Sequence, residues 1–320
     1  MSVPRAQGYP DLSSSGISQY TPQIYALELL EKFYLTTVFG DIANTKYEGQ
    51  IKKYGDKVII RTRPDITISD YIKGGKLNYQ TPESPTVELL IDKAKYYALS
   101  IDDIDKVQND IDAMSEWAYD GGQQLAIAID TSVINTIYPD ASADNTGDTA
   151  GVKSGAFDLG KTGSPLALGK ATGTGIVDIL DVIVDAGTVL AEQNIPITDR
   201  WMVLPPWAIG KLCKGDLKRY DVLGEGGTNQ VIRNGKIGRI NNFTIYESNN
   251  YTPVTDGSDS CYNILFGHKS ALTFASQLVK NETLKNPDSF GDLMRGLQVY
   301  GFEVVKPDAM GVIYAKKAAD

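Results

Sequence analysis

The feature that most constrains this chain is a pair of β-strand patterns separated by a tip rich in glycine and proline. The first pattern, over residues 57–68, is dense in β-branched residues that alternate between two faces. The second, over residues 86–98, also repeats with a period of two. Between them, residues 70–85 hold two glycines and two prolines in a polar context. The pattern predicts a long β-hairpin that leads directly into a helix.

A hairpin of this length needs a partner for its faces. Its strands would reach roughly 30–40 Å at the usual rise per residue, yet a two-stranded hairpin alone is only marginally stable in water. It could fold back onto the core of its own domain, or its polar tip could extend outward and meet a neighbouring copy. We favour the second arrangement, because natural proteins rarely leave strand edges open.

The composition excludes several classes of protein. Hydrophobic residues make up 42% and charged residues 22% of the 320 residues, which is typical of a folded chain with a large core. The net charge of -9 argues against nucleic-acid binding, which depends on clustered lysine and arginine. The nearest basic cluster is interrupted by Asp216, and we expect it to be a solvated helix end. Its members are Lys211, Lys214, Lys218 and Arg219.

Cysteine usage and hydropathy predict neither metal nor membrane association. Cys213 and Cys261 are isolated, so neither a disulfide framework nor a zinc site is indicated, and both are expected to be buried thiols. No apolar run is long enough to span a bilayer, and the first residues lack the apolar core of a signal peptide. We expect a protein that is made and kept in a cytosol-like compartment.

The rest of the chain mixes helix and strand patterns. No simple βαβ repeat is visible, so the expected fold class is α+β with mainly antiparallel strands. Residues 1–20 are predicted to be an extended arm. The later elements are a helix over 21–40, a long helix over 102–138 weakened at Gly121–Gly122, an irregular glycine-rich segment over 139–175, a helix over 176–194, a strand over 201–204, a helix from Pro206, strands over 237–246 and 262–266, and closing strands over 272–317.

Three patterns suggest chemistry, and each has a simpler interpretation. Residues 155–162 satisfy the phosphate-loop pattern GxxxxGK[ST], but a polar run precedes them and a proline follows, where that site needs a strand and a helix. Asp178, Asp181 and Asp185 share one helix face that could in principle gather a divalent cation, but we expect them to form a solvated face opposite an apolar stripe. His268 is the only histidine, and we expect a capping or packing role for it. No catalytic residue, cofactor or metal is therefore expected.

Three stretches, in this element order, carry a family resemblance. The first is TTVFGDIANTKYEGQIKKYGDKVII, which ends at Ile60 and combines a helix, a YEG turn and the GDKV start of a strand. The second is DKAKYYALSIDDIDKVQNDIDAMSEWA, from Asp92 to Ala118, and the third is VYGFEVVKPDAMGVIYAKK, from Val299 to Lys317. Together they resemble the entry to the extended loop, the returning strand with its spine helix, and the closing strands of tailed-bacteriophage major capsid proteins of the Hong Kong 97-type fold.

The resemblance implies a division of the chain. It predicts an N-terminal arm and helix over 1–46, an extended β-hairpin loop over 47–101, the spine helix of a peripheral domain over 102–138, an axial domain with a glycine-rich surface loop over 139–275, and the return strands of the peripheral domain over 276–320.

The resemblance also implies a function. Many copies would self-assemble, as hexamers and pentamers, into an icosahedral head shell that encloses phage DNA without sequence-specific binding, within the virion and after assembly in the host bacterial cytoplasm. Scaffolding, portal and decoration proteins are possible partners. The extended-loop residues expected at inter-subunit contacts are Tyr71, Ile72, Lys73, Lys76, Leu77 and Tyr79. Some family members crosslink lysine to asparagine, but the residues around Lys73 and Lys76 do not match, so noncovalent assembly is expected.

Two alternatives remain open from the sequence. A bacterial encapsulin-type compartment shares this fold class and would enclose a cargo enzyme in place of nucleic acid. A nucleotide-binding enzyme that uses Gly155–Thr162, with Lys161 on the phosphates, is the alternative from a different class.

Overall fold

The computed structural model describes residues 37–46, 57–64, 66–108, 113–170, 173–215, 239–287 and 289–318. The arm predicted over 1–20 and most of the helix predicted over 21–40 lie outside these residues. The described helices are α1 (Phe39–Ile42), α2 (Asp103–Gln108), α3 (Ala113–Thr136), α4 (Ile179–Glu192) and α5 (Pro206–Lys214). The described strands are β1 (Lys57–Arg61), β2 (Thr86–Leu90), β3 (Lys93–Asp102), β4 (Leu166–Gly169), β5 (Val177–Asp178), β6 (Arg200–Leu204), β7 (Arg239–Ile240), β8 (Phe243–Glu247), β9 (Val254–Asp256), β10 (Asp259–His268), β11 (Leu272–Lys285), β12 (Gly291–Val304) and β13 (Met310–Lys317).

The strands form three separate sheets within the described residues. β1 and β2 pair alone as the hairpin, and β11, β12 and β3 form an antiparallel sheet in that order. The largest sheet has the order β5-β4-β13-β10-β6-β8-β7, with β9 added to β10. Most of its pairings are antiparallel, but β13–β4, β4–β5 and β6–β8 are parallel. The predicted α+β class is confirmed.

Two hydrophobic cores hold these layers together. The first lies between α3 and the antiparallel sheet, where Ile129 and Val133 of the helix share a buried cluster with Phe274 and Tyr300. The second lies between α4 and the largest sheet, where Ile183 shares a cluster with residues of β6, β8 and β10. Apolar residues at helical spacing thus face alternating apolar residues of a sheet, the arrangement that buries both patterns at once.

The predicted hairpin strands are shorter in the structure than their sequence pattern. β1 ends at Arg61 rather than at residue 68, because Pro64 and, on the return limb, Pro82 and Pro85 have no N–H for a ladder. The return strand breaks at Ile91, so residues 93–102 join β12 instead of the hairpin. The expectation of one continuous strand over 86–98 was therefore wrong.

Several helix and segment boundaries also differ from the expectations. Gly40 lies inside α1 rather than at a helix end. The continuity of α3 through Gly121 and Gly122, in contrast, agrees with the prediction. The Tyr97 ring lies 3.0 Å from where a Cβ of Gly121 would be, so this glycine makes room for an aromatic ring without interrupting the helix. β4 lies within the segment predicted to be irregular over 139–175, where it pairs in parallel with β13.

Candidate inter-subunit surface

The root of the hairpin is held firmly against the antiparallel sheet. Ile60 and Leu89, from opposite strands, are buried in a small cluster with Ile91, Ala275 and Val305. The outer face of the same strands carries the exposed ion pair Lys57–Glu88, which contributes little to stability because water screens it. Apolar packing at the root therefore directs the hairpin away from the body of the subunit.

Beyond the root, a few polar contacts replace the β-ladder. Thr62 donates from its backbone N–H and its hydroxyl to the carbonyl of Pro85, at 2.9 Å and 2.7 Å. The side-chain amide of Gln80 accepts from the Thr67 N–H at 3.1 Å and donates to the Thr67 carbonyl at 2.8 Å. At the far end, Gly74 adopts a φ of +86°, which few residues other than glycine tolerate in a turn.

The tip exposes large apolar side chains to an unusual degree. Tyr71 is 71% exposed, Ile72 76%, Leu77 62% and Tyr79 85%, and Lys73 and Lys76 are also exposed. The structure places these six predicted contact residues together on one projecting loop. Large apolar side chains exposed together on one loop are characteristic of a site that another protein covers.

Sequence reasoning missed two residues of this surface. Ile66 and Ile68 were assigned to a regular strand, but the structure leaves them in an extended limb, 66% and 89% exposed. Their alternation with Thr67 and Ser69 was the available signal, because a period of two places both isoleucines on one face.

The phosphate-loop pattern does not form a nucleotide site in the structure. Lys161 is paired with Asp148 at 2.5 Å, and this hydrogen bond raises the pKa of the lysine. Its backbone bonds Ser164 in both directions, closing a tight turn that leads to strand β4 and not to a helix. Among the described residues that follow Lys161, the chain thus presents a strand and not the helix N-terminus that a phosphate loop needs.

The other predicted chemical groups have structural partners. Asp178 caps α4 by accepting from the Leu180 N–H at 2.9 Å, while burial, and then Asp181, raise the pKa of Asp185. His268 Nδ1 accepts from the Ser270 backbone N–H at 3.1 Å and contacts the Ser270 hydroxyl at 2.8 Å, which agrees with the capping role expected for it, and burial lowers its pKa. In the described residues, no group of histidine, cysteine and carboxylate side chains could hold a metal ion.

The basic cluster differs from the expectation of a solvated helix end. Lys211 is only 3% exposed, and its Nζ donates to the Ala318 carbonyl at 3.1 Å, so it fastens α5 to the end of β13. Lys218 and Arg219 lie outside the described residues. Cys261 is buried as expected, whereas Cys213 is only partly buried. None of the helices in the described part of the chain is long and apolar enough to cross a membrane.

Comparisons with known proteins identify relatives of this architecture. A family model described as phage capsid protein matches residues 86–315. A structure from Mycobacterium phage Che8 is 27% identical, with a TM-score of 0.68, and the match covers 92% of this chain and 96% of that one. The capsid of Cyanophage P-SCSP1u is 20% identical with a TM-score of 0.70 over 99% of both chains. The capsid of a native GTA particle is 13% identical, with a TM-score of 0.65, over 96% of this chain and 99% of that one. A search of curated proteins gives no match.

Proposed function

This chain belongs to the phage capsid protein family and is a major capsid protein of the phage head shell, and from that premise we propose that its projecting hairpin holds neighbouring subunits together. The contact residues are the six at the tip, Tyr71, Ile72, Lys73, Lys76, Leu77 and Tyr79. The observation that carries the proposal is the exposure of four large apolar side chains on a loop with no core of its own.

The energetics of a closed shell suit such a contact. Each hairpin contact needs to contribute only a few kcal/mol, because a closed shell engages every subunit through several contacts at once. The proposed assembly is noncovalent and built from hexamers and pentamers, with the hairpin of one subunit on the next. An acidic subunit can enclose DNA without binding it tightly, because a net charge of -9 produces no general electrostatic attraction for phosphate.

The finer details extend the same proposal. We infer that the chain is a structural protein without catalytic activity and that shells assemble in the host bacterial cytoplasm. Scaffolding, portal and decoration proteins are the proposed further partners. The five-part division of the chain is retained with one change: residues 93–101 pair with β12 and so are assigned to the peripheral domain.

Deletion of residues 70–84 tests the role of the hairpin. These residues are exposed, so the variant should fold with a free energy of unfolding within about 0.5 kcal/mol of the parent chain. It should nevertheless form no closed shells, because the apolar tip is gone. Urea unfolding of unassembled subunits measures the first outcome. Negative-stain electron microscopy with light scattering on the chain expressed alone measures the second.

A matched control separates apolar packing from lysine chemistry. A double variant, Lys73→Gln with Lys76→Gln, keeps the apolar tip and should still form shells of normal size, because the proposed contact is noncovalent. Normal shells from the deletion variant would contradict the proposed function. Loss of shells in the double variant alone would show that the contact depends on the two lysines and not on apolar packing.

A further inference from the structure

One limb of the hairpin exposes backbone hydrogen-bonding groups as well as apolar side chains. The N–H and carbonyl of Thr67 both face the opposite limb, where they bond Gln80. In an extended chain the backbone groups of adjacent residues point to opposite sides. Those of Ile66 and Ile68 therefore point away from the hairpin, and no described residue bonds them. The segment Ile66–Asp70 is called here the limb. Like an unpaired edge strand, it directs unbonded backbone N–H and C=O groups outward.

A second unpaired edge exists on the antiparallel sheet. Among the described strands, β3 is the last in its sheet. The Asp103 N–H donates to the Phe290 carbonyl at 3.3 Å, continuing the β12–β3 register. Hydrogen-bonded residue pairs alternate along an antiparallel ladder. The backbone N–H and C=O groups of odd-numbered residues of β3 therefore point toward β12, and those of even-numbered residues point outward. Ala94, Tyr96 and Ala98 therefore form an open edge, called here the receiving edge.

The free face beside the receiving edge has matching space and charge. An open hollow of about 460 Å³ is lined by Tyr96, Ala98 and Leu297 together with charged residues of β11 and β12. Tyr96 is 75% exposed there. Glu282 accepts from Arg295 at 2.7 Å and is also paired with Lys280, so two cations share one carboxylate. The face is therefore apolar next to the receiving edge, at Tyr96 and Ala98, and carries net positive charge further across the sheet, at Lys280 and Arg295.

We propose that the limb of one subunit pairs with the receiving edge of a neighbouring subunit and so adds a strand to its antiparallel sheet. Directly paired residues place their side chains on the same face of a sheet. Ile66 and Ile68 would then lie against Tyr96, and Asp70 would approach the surplus positive charge of Lys280 and Arg295. A second copy is the occupant because a shell of identical subunits presents both edges in every copy.

This inference rests on the proposed hairpin contact and names its receptor. Hydrogen–deuterium exchange, read by mass spectrometry, compares assembled shells with unassembled subunits of the full chain. We expect amide exchange in peptides covering 66–70 and 93–102 to slow at least tenfold on assembly, because a new ladder protects amides of both edges. Slower exchange in 66–70 without any change in 93–102 would overturn the inference and leave the proposed function standing. No slowing in either peptide or at the tip would overturn both.

A pair of proline variants makes the test specific for the backbone. Ile68→Pro removes an outward N–H of the limb, whereas Ser69→Pro removes one that faces the opposite limb. Only Ile68→Pro should restore fast exchange in 93–102 or prevent shell formation. Equal behaviour of the two variants, or shells of Ile68→Pro that keep full protection of 93–102, would overturn the inference. Protection of β11 in place of β3 would assign the contact to the other edge of the sheet and would likewise overturn it.

Discussion

At the scale of single residues, glycines make room for one aromatic ring between helix α3 and the antiparallel sheet. Tyr97 lies opposite Gly296 in the β12–β3 register, and a Cβ on Gly296 would overlap its ring. On the helix side, a Cβ on Gly121 would lie 3.0 Å from the same ring. The ring is therefore enclosed from both sides, which fixes how closely the helix approaches the sheet.

Gly296→Ala should destabilise the subunit because the added Cβ would overlap the Tyr97 ring, which Gly121 of the helix approaches from the other side. Overpacking of this kind typically costs about 1–3 kcal/mol. Urea unfolding of unassembled subunits measures the loss. Gly122→Ala is the matched control: no atom lies within 4 Å of its added Cβ, and the helix should gain about 0.5–1 kcal/mol. Equal stability of Gly296→Ala and the parent chain would show that the ring is not confined.

Asp130 links three parts of the chain from a fully buried position. Its Oδ1 accepts from the Val38 N–H at 2.9 Å and the Phe39 N–H at 2.8 Å, and its Oδ2 accepts from Asn250. Five residues further along α3, Asn135 bonds the Asn250 carbonyl at 2.9 Å. The helix thus fastens the start of α1 on one side and the loop after β8 on the other.

Asp130→Asn should weaken this junction even though the side chain keeps its shape. An amide NH₂ replaces one acceptor oxygen, so a donor faces either Asn250 or the backbone N–H groups of α1, and a buried unpaired donor costs about 1–3 kcal/mol. The free energy of unfolding in urea gives the measurement. Asp144→Asn, at an exposed carboxylate, is the control for loss of charge and should change stability by less than about 0.5 kcal/mol.

At the scale of elements, the direction of the hairpin depends on how its root crosses β12. A Cβ on Gly301 would overlap the Leu90 carbonyl oxygen, so the crossing requires a glycine at that position. The chain then turns at Ile91 into β3. The buried cluster around Leu89 holds the hairpin on the sheet, and the close approach at Gly301 sets its position there.

Gly301→Ala should therefore displace the root and misdirect the tip. We expect a loss of about 1–3 kcal/mol in unfolding free energy and a marked fall in shell yield by electron microscopy, because the obstructing atom is backbone and cannot rotate away. Gly210→Ala, which meets no atom within 4 Å, should leave assembly unchanged. Normal shells from Gly301→Ala would show that the root position does not control assembly.

At the scale of the whole molecule, net charge sets the conditions for assembly. Identical subunits of charge -9 repel one another at low salt. The Debye length falls from about 30 Å at about 0.01 M to about 8 Å at about 0.15 M ionic strength, which screens charges across a subunit surface but leaves apolar contacts intact.

Assembly should accordingly become faster as sodium chloride is raised from about 0.01 M to about 0.15 M. Light scattering at fixed subunit concentration follows the rate, and sucrose at matched osmolality serves as the control. A slower rate at higher salt would show that specific charge pairs, such as the one inferred between Asp70 and the cations near Glu282, outweigh the general repulsion.

The sequence by itself determined the features that depend on neighbouring residues. Period-two alternation identified β1 and β2, helical spacing identified α3 and α4, and the turn residues at Gly74 and Gly75 located the hairpin tip. The exposure of the six tip residues could be predicted because a glycine-rich turn rarely lies in a core. The resemblance to capsid proteins rested on the same local patterns and on the order in which they follow one another along the chain.

Only the tertiary structure decided the features that depend on distant residues. The break between Leu90 and β3 reflects a close approach at Gly301, and the need for a glycine at position 121 of α3 reflects the Tyr97 ring. Burial of Lys211 depends on the carbonyl of Ala318, which is remote in sequence. The position of β3 at the edge of its sheet, among the strands that the structure describes, cannot be read from the sequence, because packing across the whole chain determines which strands pair and one strand pattern fits a central or an edge position equally well.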